Sequence, residues 1–304
     1  MSLLDIDKDY LYNIGLTDDN LKQEYDIDSD YEDEREMEQP KKKEKNRVSN
    51  PTKIKKLEIK PLFTDDNSYS EAPNDFLFKP PFSLSMIGIK GAGKSTFLGN
   101  FLLPYKEYFD VIYVFSPTSK LDISFKKIQE MLDIDNKNIF SKYSENRLTK
   151  IMRNVKKQNK GVSQKDKLRS LIIFEDIIDE LPRGIGKSVI NKLAFNHRHY
   201  NTSYIILSQY FKKLPATVRN NSTGYCIWGM ENQMERKKIF EELSGSLGKD
   251  LFEHIFDEVT QEPYQALTIN YQQRHPYKYT KNFNETLSNF DIDDIESDIE
   301  EEKN

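Results

Sequence analysis

One motif constrains this chain more than any other: residues 88–95 match the phosphate-loop pattern G-x-x-x-x-G-K-[ST] in full. The apolar run from Ser83 to Gly88 predicts a strand before the motif. Residues Lys94 to Leu103 predict a helix after it, ended by Pro104. A strand, a glycine-rich turn and a helix in this order form the phosphate-binding loop (P-loop) of α/β nucleotide-binding proteins.

The residue types of this loop match the chemistry of a nucleoside triphosphate. Glycines let backbone N–H groups turn inward around the phosphates, where larger side chains would clash. Lys94 is expected to reach the terminal phosphates, and the Ser95 hydroxyl to ligate Mg²⁺. The helix N-terminus adds its dipole toward the anion. We therefore predict an ATP site formed by Gly88, Ile89, Lys90, Gly91, Ala92, Gly93, Lys94, Ser95 and Thr96.

Further short apolar runs indicate the rest of the sheet. They lie at residues 110–116, 170–174, 204–208, 224–228 and 265–269. Polar residues bound each run, and helix-length segments separate them, which is typical of a parallel sheet covered on both faces. The predicted fold class is α/β, a P-loop NTPase with a mainly parallel sheet flanked by helices.

A second magnesium anchor is expected on a strand beside the P-loop. The apolar run Leu171 to Phe174 ends in Glu175 and Asp176. One carboxylate would hold the metal through water, and the other would orient and deprotonate the attacking water. The common order is aspartate before glutamate, so two registers stay open. We prefer Glu175 with Ser95 at the metal and Asp176 as the base; in the alternative register Asp176 holds the metal.

Three more residues are candidates for the reaction. Gln209 follows the run 204–208, and a polar residue at the carboxyl end of a central strand lies where doubly wound sheets bind ligands. Gln209 is therefore expected to sense the γ-phosphate or the lytic water. Arg198 and Arg219 flank the same strand, and either is a candidate arginine finger that reaches a neighbouring subunit's nucleotide. A surface position is the alternative for each arginine.

Charge divides the chain into three parts. Residues 1–40 carry 14 acidic and 3 basic residues, and residues 285–304 carry 9 acidic and 1 basic, so residues 41–284 hold a net charge of +14. A basic body between acidic ends favours a polyanion partner, although lysines on solvated faces are the alternative. The run from Lys41 to Arg47 suits nuclear import or nucleic-acid binding, or is a solvated charge run.

These patterns predict three segments. Residues 1–60, acidic and then basic, have too few apolar residues to offset the entropy of ordering and are predicted to be disordered. Residues 61–284 form the ATPase domain, with a mainly helical insertion at about 117–169 and a loose loop around Lys156 to Lys167. Residues 285–304 are a flexible acidic tail. No run reaches the roughly 18 apolar residues of a membrane span, so a soluble intracellular protein is expected.

Together these elements resemble the genome-packaging ATPases of nucleocytoplasmic large DNA viruses and virophages, within the FtsK–HerA superfamily. The matching stretches are SLSMIGIKGAGKSTFL, DVIYVFSP, LIIFEDI, FNHRHYNTSYIILSQ and LPATVRNNS, over about residues 80–272. The most specific are the R-H-x-x-x-[ST] step into a strand ending Ser-Gln and the arginine-asparagine pair after a proline. The family usually has two aspartates in its acidic strand, so Glu175 departs from the pattern.

The resemblance implies a homo-oligomeric ring that uses ATP and Mg²⁺ to move double-stranded DNA into a preformed capsid. It implies portal or vertex proteins of the capsid as partners. It places the protein in the viral factory of the host cytoplasm, with the virion as a second location. Two other functions stay open from the residues alone, a P-loop kinase or other phosphotransferase and a regulatory ATP-binding switch.

Overall fold

The computed structural model describes residues 71–119, 122–181 and 188–287, all of which belong to one compact unit. The segment 1–60, predicted to be disordered, and its basic run Lys41 to Arg47 lie outside the described residues, as do residues 288–304 of the predicted tail. At the centre of the described residues is a nine-stranded sheet.

Six of the nine described strands follow the predicted apolar runs closely. In chain order the nine strands are β1 Ser83–Ile87, β2 Val111–Phe115, β3 Ile139–Phe140, β4 Ser170–Glu175, β5 Thr202–Ser208, β6 Gly224–Trp228, β7 Ala266–Asn270, β8 Tyr279–Lys281 and β9 Glu285–Thr286. β3, β8 and β9 are additional to the predicted runs. Across the sheet the order is β3-β2-β4-β5-β1-β6-β7-β8-β9. The six strands from β3 to β6 are parallel. β1 therefore lies in the interior of the sheet, and every residue of β1 and β5 is buried.

Helices cover both faces of this sheet. In chain order they are α1 Lys94–Leu102, α2 Ile123–Met131, α3 Glu145–Asn159, α4 Val189–Asn196, α5 Ala216–Asn221, α6 Gln233–Leu243 and α7 Lys249–Thr260. Apolar residues of α1 and α2 form one core with one face of the sheet, and those of α3 to α7 form a second core with the other face. Strand residues alternate between the two cores, as Ile205 and Ile206 do. The predicted α/β class and mainly parallel sheet are confirmed.

The last of the six apolar runs is the exception to the parallel arrangement. β7 pairs antiparallel with β6, and β8 and β9 continue antiparallel to the edge. The reason is that two helices, α6 and α7, join β6 to β7. The first helix leads away from the carboxyl edge, where β6 ends, and the second leads back to it. β7 therefore starts at that edge and runs opposite to β6. Gly245 and Gly248, both with positive φ, lie between these helices.

Two boundaries differ from the sequence prediction. The first residues of the predicted tail belong to the folded domain, because β9 pairs with β8 and the Leu287 side chain is buried in the core. Within the insertion, α3 continues through Lys156 to Asn159, which shortens the predicted loose loop. Its buried residues Leu148, Ile151, Met152 and Val155 recur at helical spacing and hold it on the sheet. The insertion also contributes β3 to the sheet edge.

Candidate functional site

The P-loop lies at the carboxyl end of β1, where the chain turns sharply into α1. Gly91 and Gly93 have φ of +83° and +92°, values that favour glycine over other residues. Gly88 packs on a neighbouring strand so closely that an added Cβ would lie 2.9 Å from the Trp228 Cβ. These three positions therefore require glycine for reasons of backbone conformation and close approach, and the loop keeps a fixed shape between β1 and α1.

Lys94 is held by the loop that it follows. Its Nζ donates to the carbonyl oxygens of Gly88 and Ile89, at 2.6 and 3.0 Å. Burial lowers the pKa of Lys94, while the nearby carboxylates of Asp176 and Glu175 act in the opposite direction. The positively charged ammonium group thus lies between the loop carbonyls and the two negatively charged carboxylates.

Glu175 is the last residue of β4 and its side chain is 5% exposed. Its carboxylate accepts two hydrogen bonds, from Ser95 Oγ at 3.2 Å and from Ser116 Oγ at 2.7 Å. Burial raises the pKa of Glu175, and the two serine hydroxyls oppose that shift. Glu175, rather than Asp176, is therefore the acid in contact with the P-loop serine.

Asp176 follows directly with φ of +49°, a left-handed conformation that aspartate tolerates better than most residues. In a continuing strand, consecutive side chains point to opposite faces of the sheet. The positive φ breaks that alternation, and both carboxylates line the same cavity. The Asp176 N–H donates to the Leu207 carbonyl at 3.3 Å, which ties this turn to β5.

The cavity in front of the P-loop has a volume of about 520 Å³. Its lining consists of Lys90, Gly91, Gly93, Lys94, Ser95, Thr96, Thr118, Asp122, Ser124, Glu175, Asp176, Gln209 and Tyr264. Most of the predicted loop residues, the acidic pair and Gln209 are thus brought together. Of the remaining loop residues, Ile89 and Ala92 line a second cavity, which shares Lys90, Gly91 and Tyr264 with the first.

The donor set suits a magnesium ion. Ser95 and Glu175 offer a hydroxyl and a carboxylate oxygen within 3.2 Å of each other. Mg²⁺ prefers such hard oxygen ligands, and in phosphate sites it keeps several waters and uses only one or two protein groups. Among the described residues, no group of three or more His, Cys, Asp or Glu side chains is arranged to hold a metal.

The two candidate arginines lie away from this cavity. Arg198 precedes β5, so it is at the amino edge of the sheet, whereas Gln209 is at the carboxyl edge. The seven residues of β5 separate the two edges by about 20 Å. Arg198 is exposed and lines a polar cavity of about 490 Å³ with His197 and Asn221 among its neighbours.

Arg219 is bound within its own subunit. Its Nε and Nη2 donate to the Glu242 carboxylate at 2.7 and 3.1 Å, and its Nη1 donates to the Leu214 carbonyl. The Arg219 side chain is only 13% exposed. A finger must extend to another subunit, so these contacts would have to break before Arg219 could act as one.

Sequence reasoning missed several residues of the site, among them Asp122 and Tyr264, which line the cavity, and Ser116, which donates to Glu175. Ser116 directly follows β2 at the same edge of the sheet as Gln209, so its position after an apolar run was a usable signal. Asp122 caps α2, where its side chain accepts from the backbone N–H groups of Ser124 and Phe125. Tyr264 lies in the turn between α7 and β7, and no local pattern marks it.

The described part of the chain contains no helix with the length and apolar character that crossing a membrane demands.

The chain is similar to proteins of several viruses. A family model described as "Poxvirus A32 protein" matches residues 70–270. The uncharacterized protein 088R of Invertebrate iridescent virus 3 is 26% identical over 224 residues, which cover 70% of this chain and 78% of that protein. DNA packaging protein OPG160 of Vaccinia virus (strain Copenhagen) is 29% identical over 161 residues, 49% of this chain and 54% of that protein. The chain thus spans about half the length of this packaging relative.

Among solved structures, the chain is similar to the genome packaging NTPase B204 from Sulfolobus turreted icosahedral virus 2 in complex with AMP. The TM-score is 0.48 at 14% sequence identity, and the match covers 64% of this chain and 95% of that chain.

Proposed function

The chain belongs to the poxvirus A32 protein family, and on that basis we propose that it is an ATP-hydrolysing motor that moves double-stranded DNA into a viral capsid. The relatives named DNA packaging proteins support the biological role. The observation that carries the chemical part is the meeting of Lys94, Ser95, Glu175 and Asp176 around one cavity in front of a P-loop.

In this proposal the loop residues bind the triphosphate of ATP. Backbone N–H groups of the loop and the N-terminus of α1 face the phosphates, and the Lys94 ammonium stabilises negative charge on the transferred phosphoryl group. Lys94 is already held over the loop by two carbonyl oxygens, so little reorientation is needed for it to act.

Ser95 and Glu175 would hold Mg²⁺, Ser95 through its hydroxyl and Glu175 through its buried carboxylate. When bound, Mg²⁺ neutralises charge that develops on the phosphate oxygens. The hydrogen bond from Ser116 keeps the Glu175 carboxylate oriented toward Ser95, as partners of ligating carboxylates commonly do.

Asp176 is then the residue that orients the attacking water and removes its proton. Its turn with positive φ directs the carboxylate into the cavity beside Lys94. Gln209, at the end of the adjacent strand, lines the same cavity and is proposed to sense the γ-phosphate or the lytic water. The alternative register, with Asp176 at the metal, would require Ser95 to change its partner.

Double-stranded DNA is the proposed polymer substrate. The net charge of +14 over residues 41–284 suits contacts to phosphates that do not depend on base sequence. A homo-oligomeric ring in the cytoplasmic viral factory, acting at a capsid vertex, is the assembly that follows from the proposed role. Arg198 is the residue that we propose to act between subunits.

The test is ATP hydrolysis by the purified chain with and without long linear double-stranded DNA. We expect severalfold stimulation by DNA, which declines as salt rises because phosphate contacts release counterions. Lys94→Ala is the matched control, since it should remove basal and stimulated activity alike. Heparin tests whether any polyanion is enough. A rate that DNA does not change would point to a switch, and ADP formation without free phosphate would point to a phosphotransferase.

A further inference from the structure

We infer that Tyr264 is the platform on which the nucleobase stacks, so that the site takes a nucleotide and not merely a polyphosphate. This inference rests on the proposed nucleotide site and extends it to the base. Tyr264 is 70% exposed, among the most exposed large apolar side chains of the described residues, and it borders the P-loop cavity.

The ring lies directly against the P-loop. A Cβ added to Gly93 would be 3.2 Å from Tyr264 Cδ1. Gly93 immediately precedes α1, and Thr96 on the first turn of α1 lines the same cavity as Tyr264. A nucleotide whose phosphates occupy residues 91–95 therefore has an aromatic face within reach at the border of its cavity.

The backbone that carries Tyr264 is held in a costly conformation. Its φ is +69°, a left-handed value that is uncommon for an aromatic residue and strains the backbone. The Trp228 indole N–H donates to the Tyr264 carbonyl at 3.3 Å, and Trp228 is buried with Phe97 of α1 packed edge-on at 4.9 Å. One buried indole thus connects the Tyr264 turn to the helix of the P-loop.

A second set of contacts fixes the other side of the turn. The Asn282 side chain donates to Gln265 Oε1 and accepts from the Ala266 N–H, immediately after Tyr264 in the chain. Lys281 forms an ion pair with Glu262 two residues before it. The turn is therefore anchored from β6 and from the β8–β9 hairpin, while the tyrosine ring is left exposed beside the loop.

Stacking is the chemistry that such a ring offers. Every base has a π-face, and a base stacked on an aromatic side chain typically contributes enough to change affinity about tenfold to a hundredfold. A rigid ring also loses little entropy when the ligand binds. The expected ligands are therefore nucleoside triphosphates, with Mg²⁺, bound more tightly than a triphosphate without a base.

The experiment compares ATP with inorganic tripolyphosphate, each titrated with Mg²⁺ into the wild-type chain, Tyr264→Phe and Tyr264→Asn. Asparagine adopts positive φ readily and lacks a ring, so it keeps the turn and removes the platform. We expect Tyr264→Asn to weaken ATP binding about tenfold or more and to leave tripolyphosphate binding unchanged. Tyr264→Phe should bind both ligands like the wild type.

Tyr271→Asn is the matched control. Tyr271 is 43% exposed and lies just past the other end of β7, about 20 Å away along the strand. It should bind both ligands like the wild type. Unchanged ATP affinity in Tyr264→Asn would overturn the inference, and so would an equal loss for both ligands, since the residue would then only shape the loop. If the wild-type chain binds neither ligand, the proposed nucleotide site fails as well.

Discussion

Glu175 and Asp176, at the end of β4, are proposed to have different roles, one at the metal and one at the attacking water, and these roles can be tested separately. The buried Glu175 carboxylate accepts hydrogen bonds from Ser95 and Ser116. Asp176 has a left-handed backbone conformation and lines the cavity. Exchanging each acid for its amide keeps the size of the side chain, removes its charge and replaces one acceptor oxygen with an NH2 donor. The two variants should therefore fail at different steps.

Glu175→Gln should weaken Mg²⁺-dependent nucleotide binding. The amide has one oxygen for the two serine hydroxyls that now share a carboxylate, and it has no charge to offer the metal. Groups that hold or orient a metal ligand typically contribute 10- to 100-fold in metal affinity. We expect a loss of about that size for ATP with Mg²⁺, and little change for ATP in the presence of a chelator.

Asp176→Asn should have the opposite profile. Asparagine tolerates the φ of +49° as well as aspartate does, so the turn and the hydrogen bond to Leu207 are kept. Binding of ATP with Mg²⁺ should stay within about twofold to threefold of the wild type. Turnover should fall about a hundredfold or more, since that is the usual contribution of a positioned base.

Two measurements on each variant separate these outcomes: nucleotide titrations with Mg²⁺ or with chelator, and single-turnover hydrolysis at saturating ATP. Thermal unfolding without nucleotide serves as the control for folding. If Asp176→Asn loses metal-dependent binding while Glu175→Gln binds normally and fails to hydrolyse, the two acids have exchanged roles. The hydrogen bond between Ser95 and Glu175 would then not identify Glu175 as the metal ligand.

Three further predictions concern other parts of the molecule. Lys94→Ala should abolish hydrolysis in a chain that still folds, and near-normal turnover would refute the P-loop assignment. Arg198→Ala should bind ATP and assemble but lose about a thousandfold in turnover or more, and mixing it with Lys94→Ala should restore part of the activity; no recovery in proven mixed oligomers would contradict a role in trans. Burial lowers the pKa of His197 from 6.5 to about 4, so the unfolded chain binds the proton first as pH falls. The free energy of unfolding should therefore decrease by up to about 3 kcal/mol from pH 6.5 to 4, and urea unfolding of His197→Asn should show a smaller decrease.

The sequence predicted the centre of the sheet well and its margins poorly, for a physical reason. β1, β4, β5 and β6 are buried on both faces, so they appear as continuous apolar runs. β3 has two residues and β9 has two, too few for any periodicity to develop. The direction of β7 depends on the number of helices that precede it, and a single apolar run carries no direction.

The candidate site also has a part that the sequence predicted and a part that it did not. Residues that follow parallel strands converge at one edge, which is why the P-loop, the acidic pair and Gln209 could be expected to meet. Tyr264 comes from a turn far along the chain, and tertiary contacts of that turn with Trp228 and with the β8–β9 hairpin bring it to Gly93. Nothing in its neighbouring residues indicates that approach.

The two edges of the parallel sheet also limit where an arginine finger can act, because residues that precede a parallel strand lie at the edge opposite the cavity. Arg198 precedes β5 and Arg219 precedes β6, so both belong to the amino edge, opposite the cavity. Within one subunit neither reaches the phosphates, and Arg219 is also bonded to Glu242. Arg198 can serve a neighbour's cavity only if the amino edge of one subunit meets the carboxyl edge of the next. Such a contact joins two different surfaces, and repeating it closes a ring when the rotation between subunits allows. The role proposed for Arg198 and a head-to-tail ring are therefore one hypothesis, and the mixing experiment tests both.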